Sequence, residues 1–138
     1  MKFHYKKYHE GILRPVIPVE IIYKNRPPVP YEVLVDSGAD SCIFDTQIGE
    51  ILEINIKSGE ERAVSGITGT VETYYVHPVT INVGGWSFKI NAGFLPNISS
   101  LGYGVVGQNG FFDKFVIKFD LVKEEIELKA LLLLIIKL

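Results

Sequence analysis

The chain has 138 residues, 47% of them hydrophobic, and a formal net charge of −2. A chain of this length can bury a hydrophobic core as one domain, and the lack of a basic excess argues against a nucleic-acid partner. The single cysteine, Cys42, excludes an internal disulfide and a metal site built from several thiolates.

Neither end of the sequence predicts a membrane segment. Residues 1–8 contain no apolar run that could serve as a signal peptide. The most apolar run, 130–136, is far shorter than the roughly 20 residues that a helix needs to cross a bilayer. We therefore expect a cytoplasmic protein with no membrane partner.

The first half of the chain predicts short strands separated by turns. Val, Ile, Tyr and Phe are abundant, and Gly and Pro recur at short intervals, as in β proteins. Prolines cannot donate to a strand ladder, so the segment 24–28 is predicted as a turn outside the sheet. The predicted strands are 16–23, 31–35 and 41–44, and a brief helix or turn is predicted at 46–52.

The second half predicts two hairpins, a helix and two closing strands. Each hairpin consists of two β-rich segments around a glycine-rich turn: 60–64 with 70–76, and 79–83 with 86–94. A helix is predicted at 108–114, with strands at 115–121 and 125–128. Many short strands with close turns favour a closed or sandwiched all-β fold.

The tripeptide Asp36-Ser37-Gly38 follows the predicted apolar strand 31–35 and is the most distinctive local feature of the sequence. The strand would hold Asp36 at the edge of the core, where a partly desolvated carboxylate is suited to proton transfer. Asp, Ser and Gly are also common turn residues, so a simple strand-ending turn stays open on the tripeptide alone. The position of Gly38 between Asp36 and Asp40 excludes a calcium loop of the EF-hand kind, and no Gly-x-Ser-x-Gly motif predicts a nucleophile elbow.

Several short motifs follow one another along the chain. They are Arg14-Pro15-Val16-Ile17, Val35-Asp36-Ser37-Gly38-Ala39-Asp40, the glycine-rich tip 65–69, Val105-Val106-Gly107-Gln108-Asn109, and closing strands within 115–128. This ordered set resembles the retropepsin-like (retroviral-type) aspartic protease family, over residues 12–128.

The resemblance implies an all-β fold. It would be a closed acid-protease barrel of the retropepsin type with one short helix near the C-terminus and a single lobe per subunit. The protease domain would span 12–128, after an N-terminal segment at 1–11. The apolar segment 129–138 would form a C-terminal strand at a dimer interface, with a core strand, a core helix or a short apolar helix as alternatives.

The resemblance also implies an aspartic endopeptidase that acts on polypeptides. Such enzymes use two aspartates, whereas the motif occurs once here and the chain is too short for a second lobe, so a homodimer is expected. The two copies of Asp36 would share one proton, as is general for aspartic proteases, and activate a water molecule. This chemistry requires no metal and no cofactor.

Other residues of the catalytic loop take roles from the same resemblance. Ser37 would lock the two loops together across the dimer axis, and Gly38 and Ala39 would leave room for the substrate backbone. Asp40 would meet an arginine of the other subunit, for which Arg14 is the candidate. A turn hydroxyl and a solvated surface ion pair are the respective alternatives for Ser37 and Asp40.

The glycine-rich tip matches the family's flap, which would close over a bound peptide and exclude water. It comprises Ser65, Gly66, Ile67, Thr68 and Gly69. An ordinary surface hairpin is the alternative. Tyr74 and Tyr75 follow the flap, and strand alternation directs one toward the cleft and the other outward.

Gln108 departs from the family pattern, which often has arginine between Gly107 and Asn109. An amide can donate hydrogen bonds but cannot neutralise a charge. This departure leaves open a second function, a non-catalytic peptide-binding or dimerisation module with the same fold. Cys42 is predicted to be a small buried hydrophobe, and the histidines, among them His77, to be surface or turn residues without metal-ligand spacing.

Overall fold

Alternating apolar residues build the strands Val16–Ile22 and Val29–Val35. The structure is a computed structural model that describes residues 1–65 and 69–131. In the strand Val16–Ile22, Ile17, Val19 and Ile21 are buried, because every second side chain of a strand points to the same face. The strand Val29–Val35 repeats this pattern and turns its buried row to the same core.

The described residues form strands, one α-helix between two of the strands, and short 3₁₀ turns at His9–Gly11 and Ile56–Ser58. The helix is α1 (Thr46–Ile51), and the strands are β1 (Lys2–His4), β2 (Lys6–Lys7), β3 (Leu13–Arg14), β4 (Val16–Ile22), β5 (Val29–Val35), β6 (Cys42–Asp45), β7 (Glu60–Ser65), β8 (Val71–Val83), β9 (Trp86–Leu95), β10 (Gly104–Val106), β11 (Phe115–Asp120) and β12 (Glu125–Ala130).

A closed mixed barrel forms the centre of the molecule. Its strands follow the order β4-β5-β10-β6-β9-β8, and β8 pairs back onto β4 through Ile81 and Ile21. The pairs β5–β10 and β6–β9 are parallel, and the others are antiparallel. β7 pairs only with the first half of β8 and projects from the barrel as a hairpin. The closed all-β barrel and the single lobe expected from the sequence are confirmed.

β8 is one long strand, so the prediction of separate strands at 70–76 and 79–83 is wrong. The strand contains Pro78, which lacks an N–H for the ladder. In the fold, Pro78 lies between the residues of β8 that pair with β7 and those that pair with β4. The second edge of β8 has no paired residue at this point among the described strands, so the missing N–H is tolerated.

Among the residues 1–65 and 69–130, the short helix is α1, and the helix predicted at 108–114 does not form. The Asp45 side chain accepts a 2.9 Å hydrogen bond from the Gln47 N–H and caps α1. Residues 108–114 form turns instead of the expected helix. Gly110 takes φ +107°, which breaks a helix, and this path turns the Phe111 side chain fully into the core.

A second sheet of β1, β12 and β11 covers one side of the barrel. The Met1 amino group donates to the Leu128 carbonyl oxygen at 3.0 Å and anchors this sheet to the start of the chain. Ile126 and Leu128 of β12 are fully buried and extend the core. The C-terminal segment expected at the interface, 129–138, lies outside the described residues after Leu131. Within 1–65 and 69–131, no helix is long and apolar enough to cross a membrane.

Candidate active site

Asp36 is the first residue after β5, and two neighbouring strands fix its backbone. The preceding Val35 is buried and pairs in parallel with Val106 of β10. The Asp36 N–H donates to the Val106 carbonyl oxygen at 3.0 Å. Asp36 itself is half-buried, so its carboxylate lies between the barrel core and solvent.

A tight turn orients the Asp36 carboxylate. The Gly38 N–H donates to Asp36 Oδ1 at 2.9 Å, and the Ala39 N–H donates to the Asp36 carbonyl oxygen at 3.2 Å. A Cβ on Gly38 would lie 3.2 Å from Asp36 Oδ1, which is tighter than an ordinary contact. Glycine at this position therefore allows the backbone N–H to approach the carboxylate closely.

The loop after β10 holds the catalytic loop from the other side. The Gln108 N–H donates to the Ala39 carbonyl oxygen at 2.8 Å, and Gln108 Nε2 donates to the Ser37 carbonyl oxygen at 2.5 Å. The Asn109 N–H donates to the Asp40 carbonyl oxygen at 2.9 Å. The sequence identified Gln108 only as a departure from the family. Its positioning role was missed, because the contact joins residues 71 positions apart and no local sequence signal indicates it.

Gly107 allows the two loops to touch. A Cβ at this position would lie 2.4 Å from the Ala39 carbonyl oxygen and 2.7 Å from the Ser41 carbonyl oxygen. Both atoms belong to the backbone, so neither could rotate away. The glycine of the motif Val105-Val106-Gly107 is therefore required in this fold for steric reasons.

The side chains of Ser37 and Asp40 are exposed in the single chain. Arg14 Nε is buried and has no hydrogen-bond partner, and no ion pair between Arg14 and Asp40 occurs in the described part of the chain. Asp40 is thus accessible to a second subunit, and Arg14 is half-buried at the edge of the groove described below. Their pairing across a dimer stays a prediction.

An open groove of about 440 Å³ lies beside Asp36. It is lined by Arg14, Pro15, Leu34, Val35, Asp36, Ser37 and Phe119. Phe119 is 42% exposed, and the sequence did not single it out. The available signal was a large aromatic residue near the end of a strand, four residues after the buried Phe115.

The expected flap corresponds to the hairpin of β7 and β8. Ser65 pairs with Val71 at the end of the ladder, and Gly69 takes φ +80° where the chain turns back. The expected tip residues Gly66, Ile67 and Thr68 lie outside the described residues. The hairpin position is therefore established, and the flap function stays a prediction.

Cys42 is fully buried, which confirms the prediction of a small core residue. Burial raises the pKa of its thiol to about 11, so the thiol is neutral near pH 7.

His77 is also buried, with Nε2 2.6 Å from the Ile56 carbonyl oxygen, so its prediction as a surface or turn residue is wrong. The backbone at Gly59 packs closely against the imidazole of His77.

Comparison with known proteins identifies the family. A family model described as aspartyl protease matches residues 17–109, which include Asp36 and its supporting loop. The chain belongs to the aspartyl protease family. The retropepsin-like aspartic protease from Rickettsia conorii has a similar crystal structure, with a TM-score of 0.62 and 15% identity over 91% of this chain and 97% of that chain. This likeness confirms that the aspartyl protease has the retropepsin-like fold. No curated protein matches the chain.

Proposed function

We propose that the protein is an aspartic endopeptidase that hydrolyses peptide bonds with two copies of Asp36 at a homodimer axis. The observation that carries this proposal is the placement of Asp36, which lies at the end of a buried strand, oriented by the Gly38 N–H and open to a groove. A carboxylate in a surface turn would not need support from β10 and from the Gln108 loop.

The groove beside Asp36 supports the homodimer. One chain supplies one aspartate of the required type, so the second must come from a partner through a two-fold axis. Phe119 exposes apolar surface at this groove, and Arg14 carries a buried Nε without a partner. A second copy would cover Phe119 and bring its Asp40 to Arg14.

The reaction follows from the electrostatics of two close carboxylates. At about 3 Å apart they cannot both ionise, so they share one proton. The ionised copy of Asp36 removes a proton from a water molecule held between them, and the protonated copy donates a hydrogen bond to the scissile carbonyl oxygen. Ser37 of each subunit would lock the two loops together, and Ala39 would leave space for the substrate backbone.

The substrate would bind in an extended conformation between the β7–β8 hairpin and the outer face of the barrel. Such binding adds the peptide as a strand, so main-chain hydrogen bonds give affinity and side-chain pockets give specificity. The hairpin residues 65–69 would close over the peptide and exclude water. This arrangement is the flap expected from the sequence.

Cleavage of a peptide library by the wild type and by Asp36→Asn tests the proposal. Both proteins are assayed at a concentration where sedimentation confirms the dimer. We expect the wild type to cleave and the Asp36→Asn dimer to lose the activity, because an amide cannot share the proton. A confirmed wild-type dimer that cleaves nothing from acid to neutral pH would instead favour the non-catalytic peptide-binding module.

A further inference from the structure

A continuous apolar row crosses the outer face of the barrel and ends beneath Tyr74. The row runs through Leu34, Val105, Ile43 and Gly93, which are neighbours in successive strands β5, β10, β6 and β9. Ile43 faces outward because the residues on either side, Cys42 and Phe44, are fully buried. Leu34, at the other end of the row, lines the groove that contains Asp36.

The Tyr74 ring lies directly against the end of this row. A Cβ on Gly93 would lie 2.5 Å from Tyr74 Cδ2 and 2.8 Å from Ile43 Cδ1. The ring therefore fills the space that a side chain at position 93 would take, and it lies on the same side of Gly93 as Ile43. Tyr74 is only partly buried, so the same ring also presents a face to solvent.

The hairpin places Arg62 next to this ring. Arg62 is directly opposite Tyr74 in the β7–β8 ladder, so the two side chains share one face of the hairpin. Arg62 Nη2 also lies 3.1 Å from Glu60 Oε2. The strand alternation expected for Tyr74 and Tyr75 thus directs Tyr74 to the outer face of the barrel.

We propose that Tyr74 determines the substrate specificity of the enzyme by closing the subsite beside Ile43. This inference rests on the proposed function, and it adds a substrate class: extended peptides with a small side chain, such as that of Gly, Ala or Ser, at this subsite. Strands lie about 4.8 Å apart and an extended peptide advances about 3.3 Å per residue, so the subsite receives a residue roughly two to four positions from the scissile bond.

Positional scanning of a peptide library tests this inference. Each position of an extended octapeptide is fixed in turn as Ala or Phe, and kcat/KM is measured for the wild type and for Tyr74→Ala. We expect the Phe/Ala ratio to rise at least about 10-fold in Tyr74→Ala at one position, because removal of the ring opens the pocket. Tyr74→Phe keeps the ring and should retain the wild-type ratio, as should Tyr75→Ala, whose side chain points to the other face.

Peptide binding separates this inference from the proposed function. The same peptides are titrated into Asp36→Asn and into the double variant Asp36→Asn/Tyr74→Ala by fluorescence polarisation, which needs no turnover. A rise of the Phe/Ala affinity ratio in the double variant supports the subsite even if the wild type cleaves nothing. An unchanged ratio at every position, in binding and in cleavage, overturns it.

Discussion

The contact at Gly107 makes Gly107→Ala a direct test of how the catalytic loop is held. The added Cβ would lie 2.4 Å from the Ala39 carbonyl oxygen, whereas ordinary contacts begin at 3.4 Å, so the two loops must separate by about 1 Å. Overpacking of this kind costs about 2 kcal/mol, which lowers Tm by roughly 5–10 °C in a chain of this length. A displacement of about 1 Å in a catalytic group reduces the rate roughly 100-fold.

Thermal unfolding and kcat/KM, measured at one protein concentration, give the two readouts. Gly38→Ala is the control for Tm alone, because its Cβ would lie 3.2 Å from a side-chain oxygen of Asp36 that can yield by a few tenths of an ångström. We expect the control to change Tm by less than about 2 °C. Wild-type Tm and wild-type kcat/KM in Gly107→Ala would refute the steric argument.

The further predictions concern the side chains of Gln108, Cys42 and Phe119. Gln108→Glu loses the amide donor to the Ser37 carbonyl oxygen and should reduce kcat/KM about 10-fold. Gln108→Arg keeps a donor and should retain the wild-type kcat/KM. Equal kcat/KM values for the two variants would contradict the positioning role. Burial raises the pKa of the Cys42 thiol to about 11. At pH 8 a thiol reagent should therefore react with the folded protein at least about 100-fold more slowly than with the urea-unfolded chain. Equal reaction rates would argue against burial. Because the neutral thiol is the buried form, its contribution to stability should be lost as the pH rises from about 9 toward 11, measured by urea unfolding. Phe119→Glu should raise the dimer dissociation constant, measured by sedimentation, at least about 10-fold. Val122→Glu should not raise it, because the Val122 side chain is 96% exposed and lies outside the groove. Equal effects of the two variants would exclude the groove from the interface.

The catalytic loop was readable from the sequence because its signals are local. An apolar strand before Asp36, small residues after it and the motif that ends in Gly107 all depend on neighbours along the chain. The same holds for the hairpins and for β4 and β5. The support that Gln108 gives to Ser37 joins residues 71 positions apart, so no local pattern could specify it.

The remaining errors also have physical reasons. The local composition of residues 108–114 is compatible with a helix. The segment forms a turn instead, because Gly110 has a positive φ and Phe111 must be buried. Strands β1 to β3 carry mostly polar side chains at the rim of the fold, so alternation did not indicate them. The closure of the barrel between β4 and β8 is a long-range pairing, which hydrophobic periodicity cannot specify.

Mixing wild type with Asp36→Asn tests the central claim most directly, that two copies of Asp36 form one active site. The two proteins are combined in equal amounts, allowed to exchange subunits, and assayed at constant total concentration. If each active site needs both aspartates, the activity falls to about one quarter of the all-wild-type value, because only that fraction of dimers contains two. Activity near one half would mean that each subunit acts alone, and it would contradict the shared dyad.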